Sequence, residues 1–584
     1  MKRDLVQLQD RPFDILVIGG GIYGATIAHA AAEQGLKVSL IDKGDFGSST
    51  SSNSMKIIHG GLRYLQQLDV KRMRESIKSR RQLTACAPHL VEPLQCIVPT
   101  RGYGLRSRPV MSVALALNDL VSWDRNRGLD SAHRLPSSHT VSAEQCLRMI
   151  PGMDRDQVTG GAIWFDAIAL NTERLNLSFV TSAATLGAAV ANYVRAYGYI
   201  FEKGSIVGAK VEDILTGEKF DIRATLVVNA SGPWANDFSD SVSGLKEKIP
   251  LSWVRATNIV IKRRLFGDYA VGLSVGNYTD KGAIAKKGTR DLFFVPWRSG
   301  MIVGTFYSRF TGYADDCCAE ASDIHDMLRQ INVAYPRANV KPSDVSFMHV
   351  GLLPEPQGTN IAVGDIQLMK QAVLIDAAKS SHIPGLLSLV GVKYTTAPQV
   401  AERVVRRATE KLGRRKVTNS ADNTGRSHRS VDAETTRHDD WVADTESADT
   451  VARLRKYYGD EVNMVMHYCS TPEGRQPVGP EESILAGQVV YSVKHEMAQC
   501  LADVVFRRTD LGSFSYPGRD ALARCAELMA RELAWTKSRT SAEIETVEEA
   551  YSALAEAGCM TLPRRSDVGS PDFGANVTAP AGEH

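Results

Sequence analysis

Residues 12–43, PFDILVIGGGIYGATIAHAAAEQGLKVSLIDK, constrain the fold of this chain more than any other segment. A short apolar run meets three glycines, an alanine-rich helical stretch is closed by Gly35, and a second apolar run ends in Asp42. Two strands joined by a helix of this length run parallel, because only a crossover connection can link them. Within the unit, Gly19-x-Gly21-x-x-Gly24 sits where strand gives way to helix, the context that raises this pattern above chance. Gly19 permits the turn, Gly21 lets a pyrophosphate approach the backbone, and Gly24 lets helix pack on strand. The helix opening at Ile22 offers amides and a partial positive charge. Asp42 falls where a carboxylate holds ribose hydroxyls. The plain alternative is a glycine turn that holds no ligand.

With 584 residues the chain exceeds a single core, and two or three domains are expected. A formal charge of +3 is nearly neutral for this length and implies no nucleic acid partner. The nine cysteines show no metal-ligand spacing, and the N-terminus shows no leader pattern, so the expectation is reduced thiols in a cytoplasmic protein with no metal. The vicinal Cys317–Cys318 pair reads as a structural detail. No window is apolar for long enough to span a bilayer. The stretch 107–126, SRPVMSVALALNDLVSWDRN, reads first as a buried helix and second as a segment lying on a membrane surface.

Further strand-like runs occur at 226–232, 258–261, 292–297, 301–306 and 386–391, so the sheets are assembled from distant pieces. Residues 47–56, GSSTSSNSMK, form a hydroxyl-rich loop directly after the ribose carboxylate. Residues 227–236, VVNASGPWAN, resemble a second nucleotide-contact segment of flavoprotein oxidoreductases, and 391–404, GVKYTTAPQVAERV, resemble their flavin-closing segment. Together with the glycine motif, in this order, they favour FAD.

The most distinctive stretch is MKIIHGGLRYLQQ, 55–67, which gathers Lys56, His59, Arg63 and Tyr64 around Gly60-Gly61. A glycine turn opening a helix accounts for Leu62, Leu65 and Leu68 but not for the basic residues. With DILVIGGGIYGATIA, TSSNSMKIIHGGLRYLQ, NASGPWAND, FFVPWRSGMIVGT, LLSLVGVKYTT and the C-terminal ILAGQVVYSVKHEMAQCLADVVFRRTDL, the chain resembles the FAD-dependent glycerol-3-phosphate dehydrogenase family, within the D-amino-acid-oxidase-like flavoproteins.

The resemblance implies an α/β fold, α+β overall. It comprises a Rossmann-like FAD-binding domain (12–105, 160–240 and 345–410), an inserted antiparallel-sheet substrate domain (106–159 and 241–344), a linker (411–444), a C-terminal helical domain (445–560) and a disordered tail (561–584). It places Lys43, Thr50, Ser51, Ser52, Lys56, His59, Gly60 and Gly61 at the cofactor, with Ala230, Ser231, Gly232 and Trp234 on a second segment and Gly391, Lys393, Tyr394 and Thr395 on a third. It implies oxidation of a secondary alcohol of a glycerol 3-phosphate-like or other polyol phosphate, with hydride transfer to flavin N5. His59, Arg63 and Lys393 are the expected catalytic residues and Tyr64 faces substrate. His59 either accepts the hydroxyl proton or orients the flavin, and Lys393 assists if burial and neighbouring cations depress its pKa.

The chain departs from the family at the substrate side. Leu353 stands in place of an arginine, Asn258 in place of a histidine, Lys370 in place of a further arginine, and His349 is an added polar group. Either Lys370, Arg255 or Arg309 replaces the missing guanidinium, or the substrate's anionic group is moved or absent. The alternative function is therefore a diverged FAD oxidase or dehydrogenase of a non-phosphorylated alcohol or amine. Quinone or oxygen is the expected electron acceptor. Peripheral contact with the inner face of the cytoplasmic membrane and a homodimer are compatible with the chain.

Overall fold

A computed structural model describes residues 1–65, 68–102, 104–237, 241–242, 245, 249–275, 290–357, 366–414, 448–479 and 484–562. Most of the expected linker, from 415, and of the expected tail, from 563, lies outside them, as do the side chains of Arg63 and Arg290.

The first strand, Phe13–Ile18, is apolar but for the half-buried Asp14 and is buried on both faces beyond it, as a strand inside a parallel sheet must be. It pairs in parallel with Val38–Ile41 on one side and with Lys219–Asn229 on the other. Leu386–Val390 continues the parallel set beyond Lys219–Asn229, and Ala189–Ala191 does so beyond Val38–Ile41. The chain reverses direction of travel across the sheet at the first strand, and the crevice at such a switch point is where doubly wound sheets bind ligands. The helix Ile22–Glu33 begins there. Gly19 adopts φ +101°, and a side chain at Gly24 would collide with the Gly19 carbonyl, so the turn admits only glycine at these positions.

Among the described residues the second sheet has nine strands. Its order is Val345–Pro356, Leu251–Ile261, Gly300–Phe310, Arg290–Trp297, Ala270–Val275, Val91–Thr100, Gly160–Ala169 and Ile57–Ile58, with His139–Ser142 paired to Gly160–Ala169. All its pairings are antiparallel except that of Ala270–Val275 with Val91–Thr100. Strands 91–100, 160–169 and 345–356, which the sequence reading groups with the nucleotide domain, thus run in the other sheet. Their apolar patterns resemble those of the first sheet, and only register separates the two.

The C-terminal helices share a core with this second sheet: Phe347 lies 5.6 Å from Tyr551 and Trp297 lies 6.0 Å from Phe514. A buried ionic cluster fastens them to the nucleotide domain. Asp45 accepts from Arg507 Nε at 2.6 Å and from both Arg508 terminal nitrogens at 2.7 Å, while Asp503 accepts from Arg507 and from Tyr193, each at 2.6 Å. Burial alone would raise the Asp45 carboxyl, but the two guanidinium groups hold it well below its ordinary value.

Helix Arg108–Val121 corrects the buried-helix reading. Only Leu115 on it is buried, and Leu120 and the following Trp123 are 69% and 73% exposed. No helix among the described residues is long and apolar enough to cross a membrane.

Candidate active site

Three loops converge at the mouth of the parallel sheet. Tyr23, in the first turn of Ile22–Glu33, receives the backbone N–H groups of Val392 (3.2 Å) and Lys393 (3.0 Å) and donates to the Lys393 carbonyl at 2.7 Å. This clamps the segment leaving strand Leu386–Val390 against the glycine turn. The same segment reaches the 55–64 stretch, where Thr395 Oγ1 accepts the His59 amide at 3.3 Å. The Lys393 ammonium donates to the Tyr64 hydroxyl, lies 4.2 Å from the Tyr64 ring centre, and reaches the Lys370 carbonyl at 3.3 Å. His59 meets the Tyr64 ring edge-on, with centroids 6.1 Å apart. The structure therefore brings His59, Tyr64, Lys393 and the backbone of Lys370 to one place.

The bed beneath them escaped the sequence reading. Asp166, on Gly160–Ala169, accepts from the Gly60 amide, from Arg80 and from Trp164 Nε1 at 2.9 Å. Arg80 packs so close to Gly60 that any side chain there would overlap its guanidinium. Arg72 lies 4.9 Å from the Tyr64 ring centre and donates to Asp69. One signal was legible: in GAIWFDAIAL an aspartate interrupts an apolar strand, two residues from Trp164 and so on the same face. Burial, and next the nearby Lys393 ammonium, pull the His59 imidazole down to about 4 from an ordinary 6.5, so it is neutral at physiological pH.

The residues around the glycine turn fit FAD. Gly21 caps Ile22–Glu33 with no side-chain bond of its own, and the first helical amide donates to Ser51 Oγ at 2.9 Å. A hydroxyl thus already sits where phosphate oxygens are drawn to a helix N-terminus. Asp42 accepts from Gly20 N at 2.6 Å and Gly44 N at 2.8 Å, and burial raises its carboxyl to about 6. Lys43 lies 4.1 Å from the Trp234 ring centre and pairs with Asp315, while Trp234 Nε1 is a buried donor with no hydrogen-bond partner among the described residues. Ser231 donates to Asn229, and Gly232, at φ +60°, has open space where a side chain would stand.

Other residues expected at the cofactor also make hydrogen bonds within the fold. Lys56 is wholly buried, and its three ammonium protons go to Ser52 O, Thr172 Oγ1 and Glu173 at 2.7–2.8 Å, so none remains for a ligand. This corrects its placement as a cofactor cation. Tyr394 donates to the Thr172 carbonyl at 2.8 Å and Ser52 to the Ser49 carbonyl at 3.0 Å. Thr50 donates to Leu352 O and accepts from Leu352 N, both at 3.1 Å, tying the loop to the second sheet.

On that sheet Asn258 pairs with His349, and both are buried, with Asn258 Oδ1 and His349 Nε2 lacking a hydrogen-bond partner among the described residues. Burial, with Lys56 and Arg298 nearby, holds His349 well below its ordinary pKa, so it is neutral. Leu353 is half-buried on the same strand. Arg255 does not reach this site, because it is bound to Glu320, to Asp323 at 2.8 Å and to Ser308 at 3.1 Å.

The sequence profile of FAD dependent oxidoreductases matches residues 14–406, and that of the C-terminal domain of alpha-glycerophosphate oxidase matches 395–540. A glycerol-3-phosphate dehydrogenase of Synechocystis is 30% identical over 94% of this chain and 98% of its own length. The mitochondrial glycerol-3-phosphate dehydrogenase of Mus musculus is 32% identical over 93% of this chain and 74% of its own. Among solved structures, the FAD complex of glycerol-3-phosphate dehydrogenase from Bacillus halodurans superposes with a TM-score of 0.69 at 22% identity, covering 94% of this chain and 96% of that one, a likeness of fold.

Proposed function

This chain belongs to the FAD-dependent oxidoreductase family and is of the glycerol-3-phosphate dehydrogenase type, and from that premise we propose that it oxidises the secondary alcohol of a small polyol phosphate, with sn-glycerol 3-phosphate as the first candidate. The observation that carries this reading is the meeting of the 55–64 and 391–396 loops, which sets a neutral imidazole beside an ammonium and a phenol at the mouth of the nucleotide crevice.

FAD, held by the Gly19–Gly24 turn, Asp42 and the 391–396 segment, would supply the hydride acceptor for oxidation of a carbinol carbon to a ketone. The rest of the chemistry belongs to this chain. His59, neutral at working pH, accepts the hydroxyl proton on an imidazole nitrogen. The Lys393 ammonium and the Tyr64 hydroxyl stabilise negative charge growing on the alcohol oxygen. Asp166 and Arg80 hold the Gly60 backbone, and with it the loop that carries His59. Asn258 supplies a buried amide oxygen for a substrate hydroxyl.

Oxidation of a non-phosphorylated alcohol or amine is the second reading, favoured by Leu353, an apolar side chain on the same strand as His349. For electrons leaving the protein, a membrane quinone is the acceptor we favour. Helix Arg108–Val121 turns Val113, Leu117 and Leu120 outward in one stripe, between the exposed Arg108 and Arg127, as in helices that lie on anionic bilayers. Anaerobic addition of sn-glycerol 3-phosphate to the purified yellow protein tests the substrate. Bleaching of the flavin supports the polyol-phosphate reading, and bleaching only by neutral polyols or amines replaces it with the second.

A further inference from the structure

Residues 42–47 run between the cofactor turn and the C-terminal helices and are engaged by both. Toward the turn they meet Gly20 at three points. Asp42 Oδ2 accepts the Gly20 N–H at 2.6 Å, the Gly47 N–H donates to the Gly20 carbonyl at 3.1 Å, and a Cβ added at Gly20 would run into the Phe46 ring. Gly47, at φ +73°, leaves room for the Asn176 amide, which donates to the same Gly20 carbonyl at 3.0 Å. Gly20 therefore has its amide, its α-carbon and its carbonyl fixed by one short segment, in the stretch of backbone that a pyrophosphate must approach closely.

The same segment gives Asp45 to the C-terminal helices. A π-helical turn at Val504–Arg508, closed by the Thr509 N–H on the Val504 carbonyl at 3.0 Å, brings two successive arginines to that one carboxylate. Arg508 is buried and also donates to the Glu496 carbonyl at 2.9 and 3.1 Å. Two neighbours repeat the bridge. Asn192 donates to Asp45 at 3.0 Å and to the Met497 carbonyl at 2.8 Å, and Tyr193 gives its N–H to the Gly44 carbonyl at 3.0 Å and its hydroxyl to Asp503 at 2.6 Å. Charge links the two ends as well. Burial raises the Asp42 carboxyl to about 6, and the negative Asp45 adds to that rise. Two guanidinium groups on Asp45 offset its charge and so favour the ionised Asp42 that accepts ribose hydroxyls.

We infer that Arg507 and Arg508 are positioning residues for FAD: through Asp45 they fix residues 42–47, and with them Asp42 and the Gly20 backbone, in the shape that receives the cofactor. The inference rests on FAD binding at the glycine turn and is independent of which alcohol is oxidised. Such coupling is reciprocal, so FAD and the docked C-terminal helices strengthen each other's hold by the same factor.

The test uses the full chain, loaded with FAD and stripped of it, as wild type, Arg508→Met, Arg508→Lys and Tyr551→Phe. Tyr551→Phe removes a buried bond to the Gly512 carbonyl, 2.6 Å, where the C-terminal helices meet the second sheet, and controls for destabilisation alone. Arg508→Met should raise the FAD dissociation constant, read from flavin fluorescence on reloading, by about 5–150-fold, the ordinary span of coupling between linked sites. Arg508→Lys should recover part of the loss, and Tyr551→Phe should leave the constant unchanged. A merely structural role would lower the melting temperatures of the stripped and loaded forms together, whereas a positioning role narrows the gap between them. The wild type gives a readout that needs no variant to fold: adding FAD should slow amide hydrogen exchange in 501–509 as well as in 42–47. Exchange slowed in the nucleotide domain alone, an FAD dissociation constant for folded Arg508→Met within about threefold of wild type, or an equal rise with Tyr551→Phe overturns the inference while FAD binding stands. No uptake of FAD by the wild type overturns both.

Discussion

Two buried polar groups in this molecule are built in opposite ways. Around Asp45 both carboxylate oxygens receive guanidinium donors from Arg507 and Arg508, and Asn192 adds a further bond at 3.0 Å. On the second sheet, Asn258 and His349 are as deeply buried, yet an oxygen of one and a nitrogen of the other have no hydrogen-bond partner among the described residues. A buried polar atom left unsatisfied costs about 1–3 kcal/mol, so the contrast is between a carboxylate whose two oxygens are both satisfied and a pair of side chains whose open oxygen and nitrogen remain available to a ligand. The first cluster joins the C-terminal helices to the nucleotide domain. The second faces the loop that follows the cofactor turn.

The sharpest way to break this contrast is at the convergence of loops. His59→Asn and Lys393→Met should each lower the rate of flavin reduction by about 10²–10⁴-fold, the usual span for a lost acid–base or charge-stabilising group. Stopped-flow traces with flavin content unchanged would establish this, and a loss under tenfold would remove the residue from the chemistry. Asp45→Ala should leave two guanidinium groups buried and cost about 3–5 kcal/mol in chemical unfolding. A cost near that of an exposed pair would mean the cluster fastens nothing. Asn258→Leu should alter stability by less than about 1 kcal/mol, because a side chain with an unsatisfied oxygen is replaced by an apolar group of similar size, while the substrate concentration needed for bleaching rises. Equal destabilisation by Asn258→Leu and Asp45→Ala would erase the comparison.

The pH dependence gives the smallest effect and the finest test. His59 accepts a proton only when neutral, and its folded pKa is lowered to about 4. The rate of flavin reduction should therefore stay level as pH falls past the ordinary histidine value and drop only near 4. Flavin content must be followed alongside, since Asp42 sits at about 6 and its protonation on acidification removes a carboxylate acceptor for ribose hydroxyls. An acid limb near 6.5 with flavin retained would contradict a neutral His59.

Much of the nucleotide half was legible because its signals are local. A glycine motif between two apolar runs predicts strand, turn, helix and a parallel partner, and Phe13–Ile18, Ile22–Glu33 and Val38–Ile41 follow that pattern. The substrate side was legible only as isolated residues. That Val254 lies between Leu353 on one neighbouring strand and Arg309 on the other is a fact of register, set by strands separated by tens of residues. Lys56 misled because a lysine in a loop reads as exposed, and only Glu173, brought in from a distant helix, explains its burial. Helix 108–121 misled in the other direction: its apolar stripe reads equally as core and as surface, and packing alone decides.

The most direct test of the central claim is an anaerobic single turnover with sn-glycerol 3-phosphate carrying deuterium at its secondary carbinol carbon. If this chain oxidises that carbon, bleaching of the flavin slows several-fold against the unlabelled compound. Bleaching at an unchanged rate would move the rate-limiting chemistry elsewhere, and no bleaching with either form would contradict the account.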